Sequence, residues 1–314
     1  MKKSRFANPH TENLRRTLWH LFLWKIGRYN ETAIRPSMPL DFLYPAQPKP
    51  FEKNEPFAQW IGHSTYLIEI DGLSILTDPV WDSYCSPLPI KGLKRRAEPP
   101  ISLADLPPID IVLISHNHYD HLDAKTVSML HRFHPQIHWI LPLGLSPWFR
   151  RKGIHSTTEL GWWQNQIVNG CKITAVPTQH FSGRTLFDQN KTFWNGYVLE
   201  KKGKRMYFTG DTGYNSVDFK KIGERWPYMD LSLIPIGTYV PEQFMQPVHI
   251  SPREAVQIHQ EVKSNLSLGM HWKTFCLSDE PLERPPFDLY LAMKDKGLSF
   301  ETFLPIDIGD HVNW

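Results

Sequence analysis

The stretch ISHNHYDHLD, residues 114–123, places three histidines and an aspartate within six positions: His116, His118, Asp120 and His121. Imidazole and carboxylate are the donors that zinc, iron and manganese accept. Three neutral histidines suffice for one ion, and a second ion takes a further set of aspartate and histidine. With histidine at 15 of 314 residues, H-x-H-x-D-H arises by chance in roughly 0.002 of such chains, so the spacing is specific as a metal signature. An isolated histidine such as His131 or His155 carries no such weight and reads as solvated or structural.

The same arrangement recurs along the chain, with an apolar run leading into a polar residue. Ser115 closes PIDIVLIS ahead of His116; KITAVPTQH ends on His180; a strand through Thr209 leads to Asp211; LSLGMHW leads to His271. Side chains at strand ends are held by a rigid sheet and exposed at one edge, where sites form. Together these residues make seven candidate ligands, enough for two ions with one aspartate bridging them and room left for a hydroxide and a substrate.

The elements that must position them are legible in outline. QWIGHSTYLIEIDGLSILTDP reads as two strands joined by a turn at Asp71-Gly72. HWILPLG and MDLSLIPIG read as buried strands, and FWNGYVLEKKGKRMYFTGDTG as a hairpin turning near Gly203 and running to Asp211. Asp123 caps a helix, with Leu122 and Val127 placed as its hydrophobic staple. SPREAVQIHQEV is a helix capped by Ser251, with Pro252 in its first turn and Glu254 completing a capping box. FDLYLAMKDKG is a late helix. Strand-rich halves with helices between them imply an α/β chain of two sheets with helices outside.

Composition narrows the class. At 314 residues, 41% hydrophobic and 21% charged, the chain is an ordinary globular one with ample core. Cys85, Cys171 and Cys276 have no paired spacing, so neither a disulfide framework nor a CxxC metal site is written, and free thiols in a reducing compartment are expected. Lys2, Lys3, Arg5, Arg15, Arg16, Lys25 and Arg28 oppose Glu12 alone, giving the first 28 residues +6 of a total of +3 and the rest −3. A basic end on a mildly acidic body fits an anionic surface better than nucleic acid. No run reaches the ~18 apolar residues of a spanning helix. Leu14, Leu18, Leu21 and Phe22 repeat at helical spacing beside basic residues, so residues 14–28 suit a helix that meets a membrane surface, a second subunit in a homodimer, or its own domain. Residues 1–56 read as an extension, proline-rich from Ala33 to Pro56 and wrapping the domain, and residues 57–314 as the catalytic domain.

HNHYDH resembles the H-x-H-x-D-H signature of the metallo-β-lactamase superfamily, and GHSTYLIEIDGLSILTDPVW resembles its opening strands, whose TDP element lies beside the site. The resemblance implies an αββα sandwich of two mixed β-sheets flanked by helices, with a dinuclear centre at one edge. SHNHYDHLD, FDQNKTFWNGYVL, GDTGY, HISPREAVQIH and MHWKTF are together similar to the family of N-acyl-phosphatidylethanolamine-hydrolysing phospholipases D. That likeness implies two Zn2+, with Mn2+ or Fe2+ as substitutes. His116, His118 and His180 would bind one ion; Asp120, His121 and His271 the other; Asp211 would bridge. His249 would stand near the substrate phosphate, ahead of a helix N-terminus that favours anions. Val248 departs from the family's mammalian enzyme, which carries glutamine there. The cysteines lie away from strand ends, unlike the cysteine ligand of the main class B β-lactamases, so antibiotic hydrolysis is not expected.

The resulting expectation is a phosphodiesterase acting on N-acyl-phosphatidylethanolamine or a related phospholipid, located in the cytoplasm or at the inner face of the membrane. Asp120, Asp211 and His249 are its catalytic candidates, and a hydroxide held between the ions attacks phosphorus. Tyr119 and the loop Pro79–Arg96 border the substrate. The alternatives are a lactonase of the ascorbate-phosphate type, a nuclease, and a non-catalytic lipid-binding protein.

Overall fold

Alternating and apolar runs between residues 57 and 160 pair into one sheet, and those between 165 and 304 into a second. The structure is a computed structural model and describes residues 6–11, 23–24, 26–29, 35–52, 54–185 and 187–314. In the first sheet β1 (Phe57–Gly62), β2 (Thr65–Ile70), β3 (Leu73–Thr77), β4 (Ile111–Leu113), β5 (His138–Pro142) and β6 (Thr157–Leu160) lie in sequence order, with β14 (His311–Asn313) outside β1. In the second, β7 (Asn165–Val168), β8 (Cys171–Val176), β9 (Gly196–Lys201), β10 (Lys204–Phe208), β11 (Met229–Pro235), β12 (Ser264–Met270) and β13 (Phe303–Leu304) do the same. Each sheet joins a run of antiparallel pairs to a run of parallel ones, the change falling at β3 and at β10.

Period two decides which core each side chain enters. Ile111 and Leu113 of β4, Ile140 of β5, and Tyr66 and Ile68 of β2 face the second sheet and meet Tyr197, Leu231 and Leu233 there. Val112, Trp139, Leu141 and Leu76 point the other way, into a separate cluster with Val127, Leu130 and Phe149. Those three belong to α1 (Ala124–Phe133) and α2 (Ser146–Arg150). On the far side α3 (Asp218–Arg225), α5 (Pro252–Glu261) and α6 (Pro285–Asp295) cover the second sheet, with the short α4 (Glu242–Met245) before α5. The order of layers is helix, sheet, sheet, helix, as expected.

The caps form where the sequence placed them. Asp123 accepts from Lys125 N at 2.9 Å, and Leu122 and Val127 are buried beside it. Ser251 and Glu254 complete the capping box of α5. The strands stop earlier than their apolar runs suggest. β4 ends at Leu113, β8 at Val176 rather than His180, and β10 at Phe208 rather than Asp211. Beyond those points the backbone leaves the ladder for lateral partners: Gln179 N donates to Thr212 Oγ1, and Gly213 N to Gln179 O. α6 begins two residues before the FDLY run because Pro285 and Pro286 occupy its first turn, where a missing N–H costs nothing.

Of segment 14–28 only residues 23, 24 and 26–28 lie among the described ones. There Trp24 stacks on Phe244 with centroids 5.2 Å apart and donates to Asp279 Oδ2 at 2.7 Å, while Tyr29 meets the same Phe244 ring. Further on, Tyr44 Oη donates to Phe303 O, and Phe42 packs on Phe287 and Tyr290.

Gly237, two residues after β11, shows how tightly the strand ends fit. A Cβ there would run into the His271 carbonyl oxygen and lie 3.0 Å from Trp272 Cβ. Gly237→Ala is therefore expected to destabilise the chain by about 1–3 kcal/mol, the usual cost of overpacking. Urea denaturation should show a lower midpoint at unchanged slope.

Candidate metal centre

The strand ends of both sheets converge at one edge. The loop after β4 brings His116, His118, Asp120 and His121; the loop after β8 brings His180; the residues after β10 bring Asp211; β12 delivers His271. All seven expected ligands meet. Ligand atoms of His116, His118 and His180 lie within 4.8 Å of one another, and so do those of Asp120, His121 and His271. Asp211 stands between the groups. Its Oδ2 is 3.0 Å from His271 Nε2, 3.1 Å from His121 Nε2 and 3.8 Å from His180 Nε2.

Three of the five rings are aimed from behind. Val248 O lies 2.8 Å from His180 Nδ1, Asp78 Oδ2 lies 2.7 Å from His121 Nδ1, and Thr238 Oγ1 lies 3.1 Å from His271 Nδ1. A carbonyl or carboxylate only accepts, so His180 and His121 carry a proton on Nδ1, and each Nε2 faces inward. Such outer contacts are what orient histidine toward a metal. The contact at Val248 is made by its main-chain carbonyl, so it does not depend on whether valine or glutamine stands there.

The donor set fits divalent cations. His118 Nδ1 lies 2.8 Å from His116 Nε2 and 3.2 Å from His180 Nε2, three nitrogens with nothing but a proton to separate them. His121 Nε2, His271 Nε2 and Asp211 Oδ1 are buried yet make no hydrogen bond of proper angle, despite close neighbours. Convergence without hydrogen-bond geometry is what ligands around a cation look like.

Electrostatics agree. Burial works against charge on every member. Against that, Asp211 and Asp120 hold the His121 imidazole well above its ordinary value and His271 up to about 9. The same histidines hold both carboxyls well below the ordinary range against the burial that opposes it. In the other group burial wins: His118 is pushed down to about 3 and His180 to about 4, with His116 also lowered. One group is thus a set of neutral imidazoles, the other an ion-paired cluster whose protons a metal must displace.

His249 lies at the rim. Its ring is 5.3 Å from that of His180 and 5.4 Å from that of His271, and its Nδ1 is buried without a hydrogen bond. The first turn of α5 is not an open anion site, because Glu254 Oε2 already takes the Ser251 N–H and puts a carboxylate there. Tyr119 donates to Arg184 O, and the Arg184 guanidinium lies 3.9 Å over its ring while donating to Asn117 O and Leu122 O. Cys85 and Cys171 are buried, Cys276 is exposed, and none belongs to the described ligand groups.

Three neighbours escaped the sequence reading as individual residues. Asp78, in the TDP element, also accepts from Ser115 N, so it fixes both the ligand loop and His121. His63 lies 3.0 Å from Asp120. Asn8 donates to His180 O and accepts from Trp194 Nε1, tying the chain's first described residues to a ligand loop. The GHS and TDP strings carry a local signal for the first two; nothing local marks Asn8.

A family model described as a beta-lactamase superfamily domain matches residues 74–272. The N-acyl-phosphatidylethanolamine-hydrolyzing phospholipase D 1 of Caenorhabditis elegans is 40% identical over 265 residues, 81% of this chain and 74% of that protein. The mitochondrial N-acyl-phosphatidylethanolamine-hydrolyzing phospholipase D of Saccharomyces cerevisiae is 34% identical over 255 residues, 78% of this chain and 53% of its own. Among solved structures, a metallo hydrolase from Ignicoccus hospitalis matches with a TM-score of 0.63 at 21% identity, over 83% of this chain and 99% of that one, and so shares the fold.

A group whose pKa is raised stays protonated until the pH passes the raised value. Zinc added at pH 7 to metal-depleted protein is therefore expected to release protons, on the order of one to two per chain. The release should shrink above pH about 9, where His271 is already neutral. A pH indicator in weakly buffered solution reads it, and metal uptake at pH 7 without proton release would contradict the ion-paired cluster.

Proposed function

The chain belongs to the beta-lactamase superfamily, among the metal-dependent hydrolases related to N-acyl-phosphatidylethanolamine-hydrolysing phospholipase D, and from this we propose that it is a two-metal phosphodiesterase. Its substrate would be N-acyl-phosphatidylethanolamine or a close phospholipid, and its products phosphatidic acid and an N-acylethanolamine. The observation that carries the reading is Asp211, a buried carboxylate within 4 Å of imidazoles from both ligand groups. A shared carboxylate in place of a cysteine suits two hard-leaning ions.

In this reading His116, His118 and His180 would hold one zinc, and Asp120, His121 and His271 the other. Asp211 joins them. When bound, the pair supplies Lewis acidity and makes water acidic enough to attack at neutral pH. Asp120, at the more open side of its group, orients that water. Its oxygen joins phosphorus, the bond from phosphorus to the ethanolamine oxygen breaks, and the water's proton goes to the departing alkoxide. His249 donates a hydrogen bond to a phosphoryl oxygen from the rim, where charge builds as the oxygen attacks.

The surroundings favour a lipid. A groove of about 480 Å³ starts at Tyr119, between two ligands, and continues along Tyr84, Pro87, Leu88 and Pro89. Leu88 and Ile90 stand exposed on this loop. The basic first 28 residues would add attraction to anionic headgroups. Among the described residues no helix is long and apolar enough to cross a membrane, so contact would be at the surface.

The test joins metal analysis to lipid chemistry. The expected result is two metals per chain and release of phosphatidic acid from N-acyl-phosphatidylethanolamine vesicles, abolished by chelator and restored by zinc. His180→Ala and Asp211→Asn should each lose at least about 100-fold in turnover and hold fewer than two metals, since weakening even an outer contact costs 10–100-fold. Two metals with no release of phosphatidic acid would overturn the phospholipase reading and send the search to lactones and other phosphodiesters.

A further inference from the structure

His63 lies in neither ligand group proposed above, yet its surroundings are more constrained than those of any ordinary loop histidine. It follows the register shift between Trp60 and Gly62 in β1, and it adopts a φ of 53°, a conformation that L side chains avoid. Three backbone contacts hold it there. Its N–H donates to Thr274 Oγ1 at 2.6 Å, and its carbonyl accepts from Trp60 Nε1 at 2.9 Å and from His271 N at 3.0 Å. The last bond joins the end of β1 in one sheet to the end of β12 in the other. His271 also has a positive φ, 62°. The two rings lie with centroids 4.1 Å apart, and Phe275 closes the other side at 5.1 Å.

This pinning sends one atom somewhere specific. His63 Nε2 lies 3.0 Å from Asp120 Oδ2. A carboxylate only accepts, so Nε2 carries the proton and donates. Asp120 needs such a tether, because its side chain is 15% exposed whereas those of His121 and His271 are fully buried. The same oxygen lies 3.3 Å from His121 Nε2 and 3.5 Å from His271 Nε2, but those nitrogens are the ones a metal would take, which leaves His63 as the donor that can stay on the carboxylate.

We propose that His63 is a positioning residue which, through one Nε2–H bond, holds the Asp120 carboxylate turned toward His121 and His271. It thereby sets the affinity of that metal position and leaves the His116–His118–His180 position alone. The inference rests on the two-metal reading above. A ring nitrogen of His63 also lies within 4.8 Å of the ligand atoms of Asp120, His121 and His271, so the experiment must tell a donor to Asp120 from a further ligand.

The test is titration of metal-depleted protein with Co2+, followed by calorimetry and by the visible spectrum, on the wild type, His63→Gln and His63→Phe. Glutamine keeps an N–H near the place of Nε2; phenylalanine keeps the ring and its stacking but has no donor. The first equivalent should bind alike in all three. The second should bind about 10–100-fold more weakly in His63→Phe, the usual cost of losing an outer partner, and close to wild type in His63→Gln. Placed in an Asp120→Asn background, His63→Phe should weaken the second equivalent no further, because the two residues act through one bond. Wild-type binding of both equivalents by His63→Phe would overturn the proposal. So would additive losses in the double variant, which would mean a general structural role. If His63→Gln is as weak as His63→Phe and its second-site spectrum changes, His63 is itself a ligand and the proposal fails. A wild type that takes up fewer than two equivalents would instead overturn the two-metal reading, and this inference with it.

Discussion

Two carboxylates, Asp120 and Asp211, are buried among imidazoles at the meeting edge of two sheets, and the rest of the architecture follows from making that tolerable. Removing an anion from water costs several kcal/mol even after the protein relaxes. Only positive charge close by offsets it. Without metal that charge is the protons of His121 and His271, which the carboxylates hold on well past their ordinary range. With metal it would be the ions. The site is an exchanger of protons for cations, balanced in either state.

Aiming falls to the ends of strands from both sheets, so the centre exists only when the sheets are packed. Backbone strain gathers where they meet. His63, Asp78, Thr238 and His271 all have positive φ without being glycine. Such residues cost of order 1–3 kcal/mol each and persist only where their surroundings over-determine them. Here the surroundings do so by lateral bonds: Thr274 to His63, His63 to His271, and Asp78 to Ser115. Thr238 is fixed by Glu280, whose two oxygens accept from Thr238 N and Val240 N. The inter-sheet core supplies the energy that holds these strained links closed.

This division explains what the sequence discloses. His116 to His121 are legible because four ligands share one loop, and His180, Asp211 and His271 because each follows an apolar run. Asp123, Ser251 and Glu254 are legible because capping is local. The true ends of β4, β8 and β10 are not, because hydrophobic alternation continues past the last ladder bond, and only the lateral partners of Gln179 and Gly213 show where the chain leaves it. His63 is hidden for the same reason. The GHS string marks its place beside the site, but its role lies in bonds to Asp120 and Thr274, more than fifty positions away. The helix expected over residues 14–28 falls largely outside the described residues; what is described of it, Trp24 above all, packs on the domain.

The groove beside the ligand loop has a further consequence for where selectivity resides. Two cations line it, and both are engaged. Arg184 spends its Nη1 on the carbonyls of Asn117 and Leu122, stiffening the loop that carries His118 and Asp120. Lys125 pairs with Asp82 at 2.8 Å, an exposed contact worth little, and Asp123 lies in the same lining. The groove thus offers mainly shape and apolar surface, with Lys125 only weakly paired beside it. Under the proposed reaction, recognition of the phosphate would fall to the centre and to His249. The proline-rich loop around Leu88 lines the groove and carries none of the candidate ligands, so it can vary without disturbing them. A fold that keeps its charge at the strand ends and its discrimination in a covering loop can change substrate while its metal chemistry stays the same.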